Sequence, residues 1–285
     1  MEARLFHASL FKRITDAVRE VVTDATLECT SEGIGMQAMD SAHISLVSLL
    51  MRADGFEHYR CEEPVSVGLN LPSLAKVLRC AGNDDVMTLK VRDGCDVVDI
   101  TFETQSQTRL AEFELKMMNV EAESMAVPEP DPEATVRMPS TQFQSICKAR
   151  AYVFARCESS LNPPTVLQDL TTIGDTVTMC ASSGGLSLTT KGDIGSATVT
   201  VLPKPAGDAP GAAVAIEARH EVTLTFGLRY LNTFARATPL DSHVRLGLSK
   251  NNPLMIEYTL PDMGHLRFYL SPRSDAAPPE PEEEV

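Results

Sequence analysis

Asp40 and His43, three positions apart, are the side chains whose types and spacing come closest to a site for metal binding or proton transfer. Even a catalytic zinc site needs three protein ligands, and the sequence shows no third one beside this pair. The six histidines are dispersed, and the seven cysteines are scattered without a C-x-x-C pair. A structural or surface-contact role for His43 is therefore the better interpretation. Neither a metal site nor a disulfide framework is predicted.

Other signals for catalysis are weak or missing. Cys147 and Cys157 lie beside basic residues, which can activate a thiol, but a buried core cysteine and a loop cysteine are the simpler explanation. The patterns G-x-G-x-x-G, G-x-x-x-x-G-K-S/T, H-E-x-x-H, G-x-S-x-G and the EF-hand loop do not occur. We predict no cofactor, no metal and no catalytic residue, and we expect that the protein is not an enzyme.

The charged residues show a clearer pattern. A net charge of −14 argues against nucleic acid as a partner. However, ten of the 39 acids lie in two stretches without any base, residues 119–134 and 274–285, so the remainder has 29 acids against 25 bases. The positions of those bases therefore decide whether a nucleic-acid surface exists.

Four predicted helices carry many of these bases. Apolar residues at helical spacing predict helices at about 9–23, 72–80, from 139 to about 150 or beyond, and 228–237. The last three contain no acid, whereas Asp16 and Glu20 lie among the bases of the first. A common surface of such helices would bind phosphates without reading sequence. The alternative is that Lys and Arg only line the flanks of the helices.

The apolar pattern of the first half recurs in the second. Adding 157 to the numbers superposes Val65–Leu71 on Val222–Leu228 and Leu89 on Leu246, and adding 153 superposes Phe113 on Leu266. This repetition predicts an internal duplication into two α+β domains, each with two helices over antiparallel strands. The predicted domains span residues 1–117 and 135–273.

An acidic linker, residues 118–134, joins the predicted domains. Its prolines at 128, 130 and 132 exclude a helix and keep the chain extended on the surface. The acidic tail, residues 274–285, is predicted to be disordered. The odd, scattered cysteines, the lack of a signal-peptide pattern and the absence of an apolar run of about 18 residues predict an intracellular protein without a membrane span.

Six stretches resemble the eukaryotic DNA sliding-clamp family, proliferating cell nuclear antigen. They are EARL at 2–5, MDSAHISLV at 39–47, GFEHYRC at 55–61, LAKVLRCAGND at 74–84, LRYLNTFARATPL at 228–240 and DMGHLRFYLSP at 262–272. The resemblance covers residues 1–273. It implies the duplicated sliding-clamp fold, in which three subunits close head to tail into a ring, with antiparallel sheets outside and helices lining the hole.

The same resemblance implies a function. Clamps of this family work in the nucleus as homotrimers that encircle double-stranded DNA without sequence specificity. They act as processivity factors for DNA polymerase and dock the clamp loader, nucleases and ligases of replication and repair through short peptide motifs. The residues that match DNA-facing positions are Lys12, Arg13, Arg19, Lys76, Arg79, Arg109, Lys148, Arg229 and Arg236.

Two further residue sets follow from the resemblance. The partner-peptide pocket is implied at Met39, His43, Ile44, Leu46, Met125, Val127, Pro128, Pro239, Tyr269, Ser271 and Pro272. The subunit interface is implied between Arg109–Lys116 of one subunit and about Ile194–Val201 of the next, with Arg109, Ala111, Phe113, Leu115, Ile194, Ala197 and Val199 in contact.

The sequence departs from the family in four places. A family aromatic late in the linker is replaced near Pro132, and a family lysine that accepts ubiquitin or SUMO appears as Ser183. About 19 residues at 149–167 are inserted, and the tail is longer and more acidic than usual. A peptide-binding scaffold or heteromeric clamp subunit that forms no closed homotrimer is the alternative hypothesis. An enzyme of unknown type is a third hypothesis, and it would require a bound metal or cofactor.

Overall fold

The computed structural model describes residues 1–92, 94–106, 108–120, 131–147, 150–152, 167–169, 173–193, 195–204 and 213–273. Nine strands lie in the first half of this part of the chain. They are β1 (Glu2–Leu5), β2 (Asp24–Thr30), β3 (Gly33–Met39), β4 (Ser45–Arg52), β5 (His58–Arg60), β6 (Val65–Asn70), β7 (Val86–Val91), β8 (Val97–Glu103) and β9 (Leu110–Lys116).

The second half repeats this pattern with one additional short hairpin. Its strands are β10 (Ala134–Pro139), β11 (Arg150–Tyr152), β12 (Leu167–Asp169), β13 (Thr176–Ser182), β14 (Gly185–Gly192), β15 (Gly195–Val201), β16 (Ala215–Ala218), β17 (Val222–Gly227), β18 (His243–Ser249), β19 (Asn252–Leu260) and β20 (Gly264–Leu270). The helices are α1 (Ala8–Val18), α2 (Leu71–Leu78), α3 (Ser140–Cys147) and α4 (Leu228–Phe234), with short 3-10 helices at Ala53–Gly55 and Ala235–Leu240.

The order of the strands shows the duplication directly. One sheet has the order β5-β1-β7-β8-β9, another β15-β14-β13-β17, and a nine-stranded sheet has the order β16-β10-β18-β19-β20-β4-β3-β2-β6. The run β16-β10-β18-β19-β20 repeats β5-β1-β7-β8-β9, and the run β6-β2-β3-β4 repeats β17-β13-β14-β15. Antiparallel pairing of β4 with β20 joins the halves into one sheet. The prediction of a duplicated α+β clamp fold is confirmed.

The pairing of the strands corrects one of the offsets between the two halves, the offset of 153 for Phe113. Leu89 and its equivalent Leu246 lie opposite Ile100 and Ile256. These two residues in turn lie opposite Phe113 and Phe268. Phe113 is therefore equivalent to Phe268, at an offset of about 155, and not to Leu266 as the sequence comparison indicated. The alternation of faces is the same for both offsets, which is why the apolar pattern could not separate them.

All four helices end earlier than predicted, and α2 does so at Leu78 instead of Cys80. Helix α1 stops at Val18 instead of residue 23, because the β-branched run Val21–Thr23 disfavours a further turn. Helix α3 stops at Cys147, and Arg150 begins strand β11. Helix α4 stops at Phe234 and continues as the 3-10 helix, which contains Pro239; a proline lacks the N–H that another α-helical turn would require.

A single buried core runs through both halves. Helix α1 contributes Phe11 and Ile14, α2 contributes Leu74, and α4 contributes Leu231, all against the inner faces of the sheets. Helix α2 begins where Asn70 Oδ1 accepts a 3.0 Å hydrogen bond from the Ser73 N–H, as an N-cap side chain does. Among the described residues, no helix combines the length and apolar character needed to cross a bilayer.

Candidate functional site

The predicted DNA-facing residues lie mainly on the helices, on the side that faces away from the sheets. We call these residues the basic layer. Helix α1 packs against α2 and against the 3-10 helix Ala235–Leu240, and α3 packs against α4. Of the predicted set, Arg13, Lys76, Arg79, Arg229 and Arg236 are exposed, and Lys12 and Arg19 are half-buried. Lys148 lies outside the described residues. Since the apolar faces of these helices pack on the core, the exposed bases point away from the sheets.

Acidic side chains form ion pairs with part of the basic layer where the two halves of the chain meet. Glu20 Oε1 lies 2.9 Å from Arg236 Nη1 and 3.7 Å from Arg19 Nη2. Asp16 forms a second ion pair with Arg19, at 3.0 Å. Arg13 Nη1 donates to the Pro239 carbonyl oxygen at 2.7 Å. These contacts connect α1 of the first half to the 3-10 helix of the second.

Arg109 is placed beside the bases of α2 although it precedes a strand. Its Nη2 donates to the Cys80 carbonyl oxygen at 3.1 Å, just after the end of α2. A guanidinium at this position satisfies a carbonyl oxygen just beyond the C-terminal end of the helix. Arg109 therefore lies close to Arg79, which immediately precedes Cys80 in the chain.

The predicted pocket has its floor in one row across the nine-stranded sheet. Met39 lies opposite Leu46, Leu46 opposite Tyr269, and Tyr269 opposite Met255. These four residues form an apolar cluster separate from the main core, and we call them the apolar row. Three of them were predicted. Met255 was missed, although it is the apolar residue on the strand face that otherwise carries Glu257 and Thr259.

The row ends at the linker. Met255 lies opposite Gly247, and a Cβ at position 247 would lie 3.3 Å from Pro132 Cβ. Pro132, near which the sequence departs from the family, therefore covers this glycine. The linker end is held nearby, because both guanidinium Nη atoms of Arg219 donate to Asp131, at 3.1 and 2.9 Å. Met125, Val127 and Pro128 of the predicted pocket lie outside the described residues.

The pocket loop, residues 40–45, connects the first two residues of the row. Asp40 is 7% exposed, and its carboxylate accepts backbone N–H bonds from Ala42, Ile44 and Ser45. The Tyr230 hydroxyl donates to the same carboxylate at 2.9 Å. Burial raises the pKa of Asp40, but the hydrogen bonds from Ser45, Tyr230 and Ile44 outweigh it, and the pKa of Asp40 is lowered overall.

The remaining predicted pocket residues divide into two groups. His43 and Ile44 are exposed at the tip of the pocket loop, and the Ile44 carbonyl oxygen accepts from the Ser271 N–H at 3.0 Å. Pro272 follows Ser271 in the sequence, so residues 271–272 lie next to the pocket loop. Pro239 lies instead in the 3-10 helix, whose contacts include α1, β19, α3 and α4. Its place in the pocket stays a prediction.

Among the described residues, two strands leave long open edges. The Met118 N–H donates to the Gly68 carbonyl oxygen of β6, and the Arg273 N–H donates to the Thr225 carbonyl oxygen of β17, so a neighbouring segment lies against each of those edges. Strands β5 and β16 have only three and four residues. Strands β9 and β15 end their sheets with seven residues each, and we call them the free edges.

The free edges carry half-covered apolar residues on their inner faces. Phe113 and Leu115 on β9, and Ala197 and Val199 on β15, pack partly against the core. Ala111 is also half-buried, whereas Arg109 is exposed. Ile194 lies outside the described residues. Leu110 and Leu202, at the ends of these edges, are 61% and 65% exposed.

Two protein-family models match this chain. Residues 1–125 match the model described as proliferating cell nuclear antigen, N-terminal domain, and residues 158–273 match the model described as proliferating cell nuclear antigen, C-terminal domain. The first match ends inside the linker, and the second contains β13–β20 and α4. Together they cover well over half of the chain.

Proposed function

The chain belongs to the proliferating cell nuclear antigen family of DNA sliding clamps, and we propose that it forms a homotrimeric ring that encloses duplex DNA in the nucleus. Such a ring is a processivity factor, because it cannot leave a duplex that it encloses and so keeps a tethered polymerase at its template. Clamps of this family are non-enzymatic scaffolds, and we propose the same of this chain. Its nuclear location rests on the resemblance to eukaryotic clamps.

The pairing of β4 with β20 is the observation that carries this proposal. By the duplication, β9 is the equivalent of β20 and β15 is the equivalent of β4. The two strands that pair inside the chain thus have counterparts that both end their sheets, with no partner strand in the described part of the chain. Pairing β9 of one copy with β15 of the next would repeat the internal junction. This contact is head-to-tail, and it generates a ring if the rotation closes.

The internal junction also predicts the register of that contact. Phe268 lies opposite Val47, and these residues are equivalent to Phe113 and Ala197. We therefore expect Phe113 opposite Ala197 and, two residues along, Ala111 opposite Val199. In the internal junction Phe268 and Val47 are fully buried, so the external pairing would complete the burial that the free edges lack.

The basic layer supports the DNA contact. Phosphate contacts from Lys and Arg position a protein on a duplex without specifying a sequence, as a sliding ring requires. We propose that exposed Lys76, Arg79 and Arg229 supply such contacts from both halves. Arg236, which is paired with Glu20, would contribute less because its charge is already partly neutralised.

The apolar row supports partner docking. It crosses three strand spacings, about 14 Å in all, which suits the apolar face of one or two turns of a peptide helix with side chains at i, i+3 and i+4. Methionines adapt to different partners. We propose that polymerase, clamp loader, nuclease and ligase dock here through short peptides.

Charge reversal tests the DNA contact. Arg79→Glu combined with Arg229→Glu should lower clamp-dependent polymerase stimulation by about tenfold or more at moderate salt, because several phosphate contacts turn repulsive. Neither arginine has an ion pair that the change would break among those seen in the described residues, so the assembled mass should not change. Lys90→Glu combined with Arg137→Glu is the matched control, since both residues are exposed on strands, away from the helices. Equal stimulation by the two variants would contradict the proposed inner surface.

A further inference from the structure

We propose that Tyr230 is a positioning residue for the partner pocket, because its hydroxyl holds the Asp40 carboxylate that shapes the pocket loop beside the apolar row. The inference rests on the peptide docking proposed above. It adds a residue of the second half, on helix α4, to a loop that belongs to the first half. The peptide itself is expected to contact the row and the loop and not the Tyr230 hydroxyl.

The two oxygens of the Asp40 carboxylate have different partners, and only Oδ2 binds a residue of the second half. Oδ1 accepts the backbone N–H groups of Ile44 and Ser45, at 2.8 and 2.6 Å. Oδ2 accepts the Tyr230 hydroxyl at 2.9 Å and the Ala42 N–H at 3.3 Å. Without the hydroxyl, Oδ2 would keep one long hydrogen bond at a site that is almost closed to water. A buried carboxylate oxygen that loses a partner costs free energy, so the loop would lose its present arrangement.

The loop needs such a restraint. His43 has a φ of 53°, in the left-handed region that non-glycine residues seldom adopt. A residue stays in that region only where its surroundings hold it there. Here the Asp40 carbonyl oxygen accepts the His43 N–H at 2.9 Å, and the Asp40 side chain binds the residues on either side of His43. The loop conformation thus depends on the orientation of Asp40.

Helix α4 is a firm support for this contact. Leu228 and Leu231 are buried in the core on either side of Tyr230 in the sequence. The Tyr230 ring lies 6.3 Å from the Phe234 ring, which stacks on Phe268 at 4.6 Å. Because Phe268 lies in β20, next to Tyr269 of the apolar row, the tyrosine is anchored to the strand that forms the pocket floor.

Tyr230→Phe tests the inference, since it removes the hydroxyl and keeps the ring. The probe is a fluorescein-labelled synthetic peptide with large apolar side chains at i, i+3 and i+4. Its affinity should fall about three- to tenfold, which is less than the full contribution of a hydrogen bond to a charged group, because the loop keeps its other hydrogen bonds to Asp40. Tyr258→Phe is the matched control. It removes a buried hydroxyl that donates to the Phe234 carbonyl oxygen at 3.2 Å, away from the pocket loop, and it should leave peptide affinity unchanged.

Two further measurements separate positioning from a general loss of stability. In the free protein, amide hydrogen exchange at Ile44 and Ser45 should be faster in Tyr230→Phe than in wild type or Tyr258→Phe. In an Asp40→Ala background, Tyr230→Phe should cause no further loss of affinity, because the tyrosine acts through that carboxylate.

The outcomes discriminate between the two proposals. Unchanged exchange at Ile44 and Ser45, or an equal loss of affinity with and without Asp40, would overturn the role of Tyr230. Failure of the wild type to bind the peptide would contradict the proposed docking site. In that case the exchange rates would still decide whether Tyr230 holds the loop.

Discussion

Replacing the two exposed leucines at the free edges should weaken ring assembly strongly. In the expected register, Leu110 lies opposite Thr200, and Leu202 is its diagonal neighbour on the same face, within reach of a long side chain. Both leucines are more than half exposed in the single chain, at 61% and 65%. We expect the junction to cover about half of that exposed surface. The perturbation is therefore Leu110→Ser combined with Leu202→Ser.

The size of the effect follows from the exposed fractions. Burying a whole leucine side chain contributes about 2 to 3 kcal/mol, so covering about a third of one contributes about 0.7 to 1 kcal/mol. The double variant would lose about 1.5 to 2 kcal/mol at each junction, or about 4.5 to 6 kcal/mol for three junctions. The concentration at which a trimer half-dissociates varies with the square root of its dissociation constant. The midpoint should therefore rise about 40- to 150-fold, since 1.4 kcal/mol corresponds to a factor of ten.

Light scattering coupled to size exclusion, over a dilution series, measures this midpoint. Wild type at micromolar concentration should show three times the chain mass of 31.0 kDa. Leu50→Ser is the matched control, because Leu50 is also exposed, at 37%, but lies in β4, which is already paired on both sides. If the double variant dissociates at the wild-type concentration, the proposed edge pairing is refuted. A monomeric wild type would instead favour the scaffold or heteromeric alternative.

Two further predictions concern the pocket. Met39→Ala combined with Met255→Ala should weaken binding of the synthetic peptide about tenfold or more, as expected for central apolar contacts; equal binding in calorimetry would exclude the apolar row as the docking floor. The lowered pKa of Asp40 means that its ionised form stabilises the fold above the ordinary value of 3.8, and this contribution is lost as pH falls through the lower pKa of the folded state. Thermal unfolding of wild type and Asp40→Asn should therefore differ at pH 7 and converge in strong acid, and a difference that does not shrink as the pH falls well below 3.8 would contradict this explanation.

The duplication could be predicted from sequence because burial in a sheet follows a two-residue period. Val67 and Leu69 are buried in β6, and at the offset of 157 their counterparts in β17 are Leu224, which is half-buried against the core, and Phe226, which is buried. The same period leaves a shift of two residues undetermined, which is why Phe113 was superposed on Leu266 and not on Phe268. Short edge strands such as β5 and β16 have too few residues for any period to show.

The candidate site could be predicted only in part, because its contacts join distant parts of the chain. Asp40 and Tyr230 are separated by 190 positions, and no spacing rule connects them. Sequence comparison found Met39, Leu46 and Tyr269 through the resemblance. It missed Met255, although the alternation with Glu257 and Thr259 places this residue on the polar face of β19. Ladder register identified it, because Met255 lies opposite Tyr269.

The charges on the free edges favour a head-to-tail ring over other pairings. Two copies of β9 in full antiparallel overlap would place Glu112 opposite Glu114, and like charges directly opposite are destabilising. Pairing with β15 in the expected register places Glu112 opposite Thr198 and Glu114 opposite Ser196, whose hydroxyls can donate to the carboxylates. Two copies of β15 could pair without repulsion, but both β9 edges would then stay open. An open strand edge is a site for aggregation. Among the described strands, repeated pairing of β9 with β15 leaves neither free edge open once the ring of subunits closes.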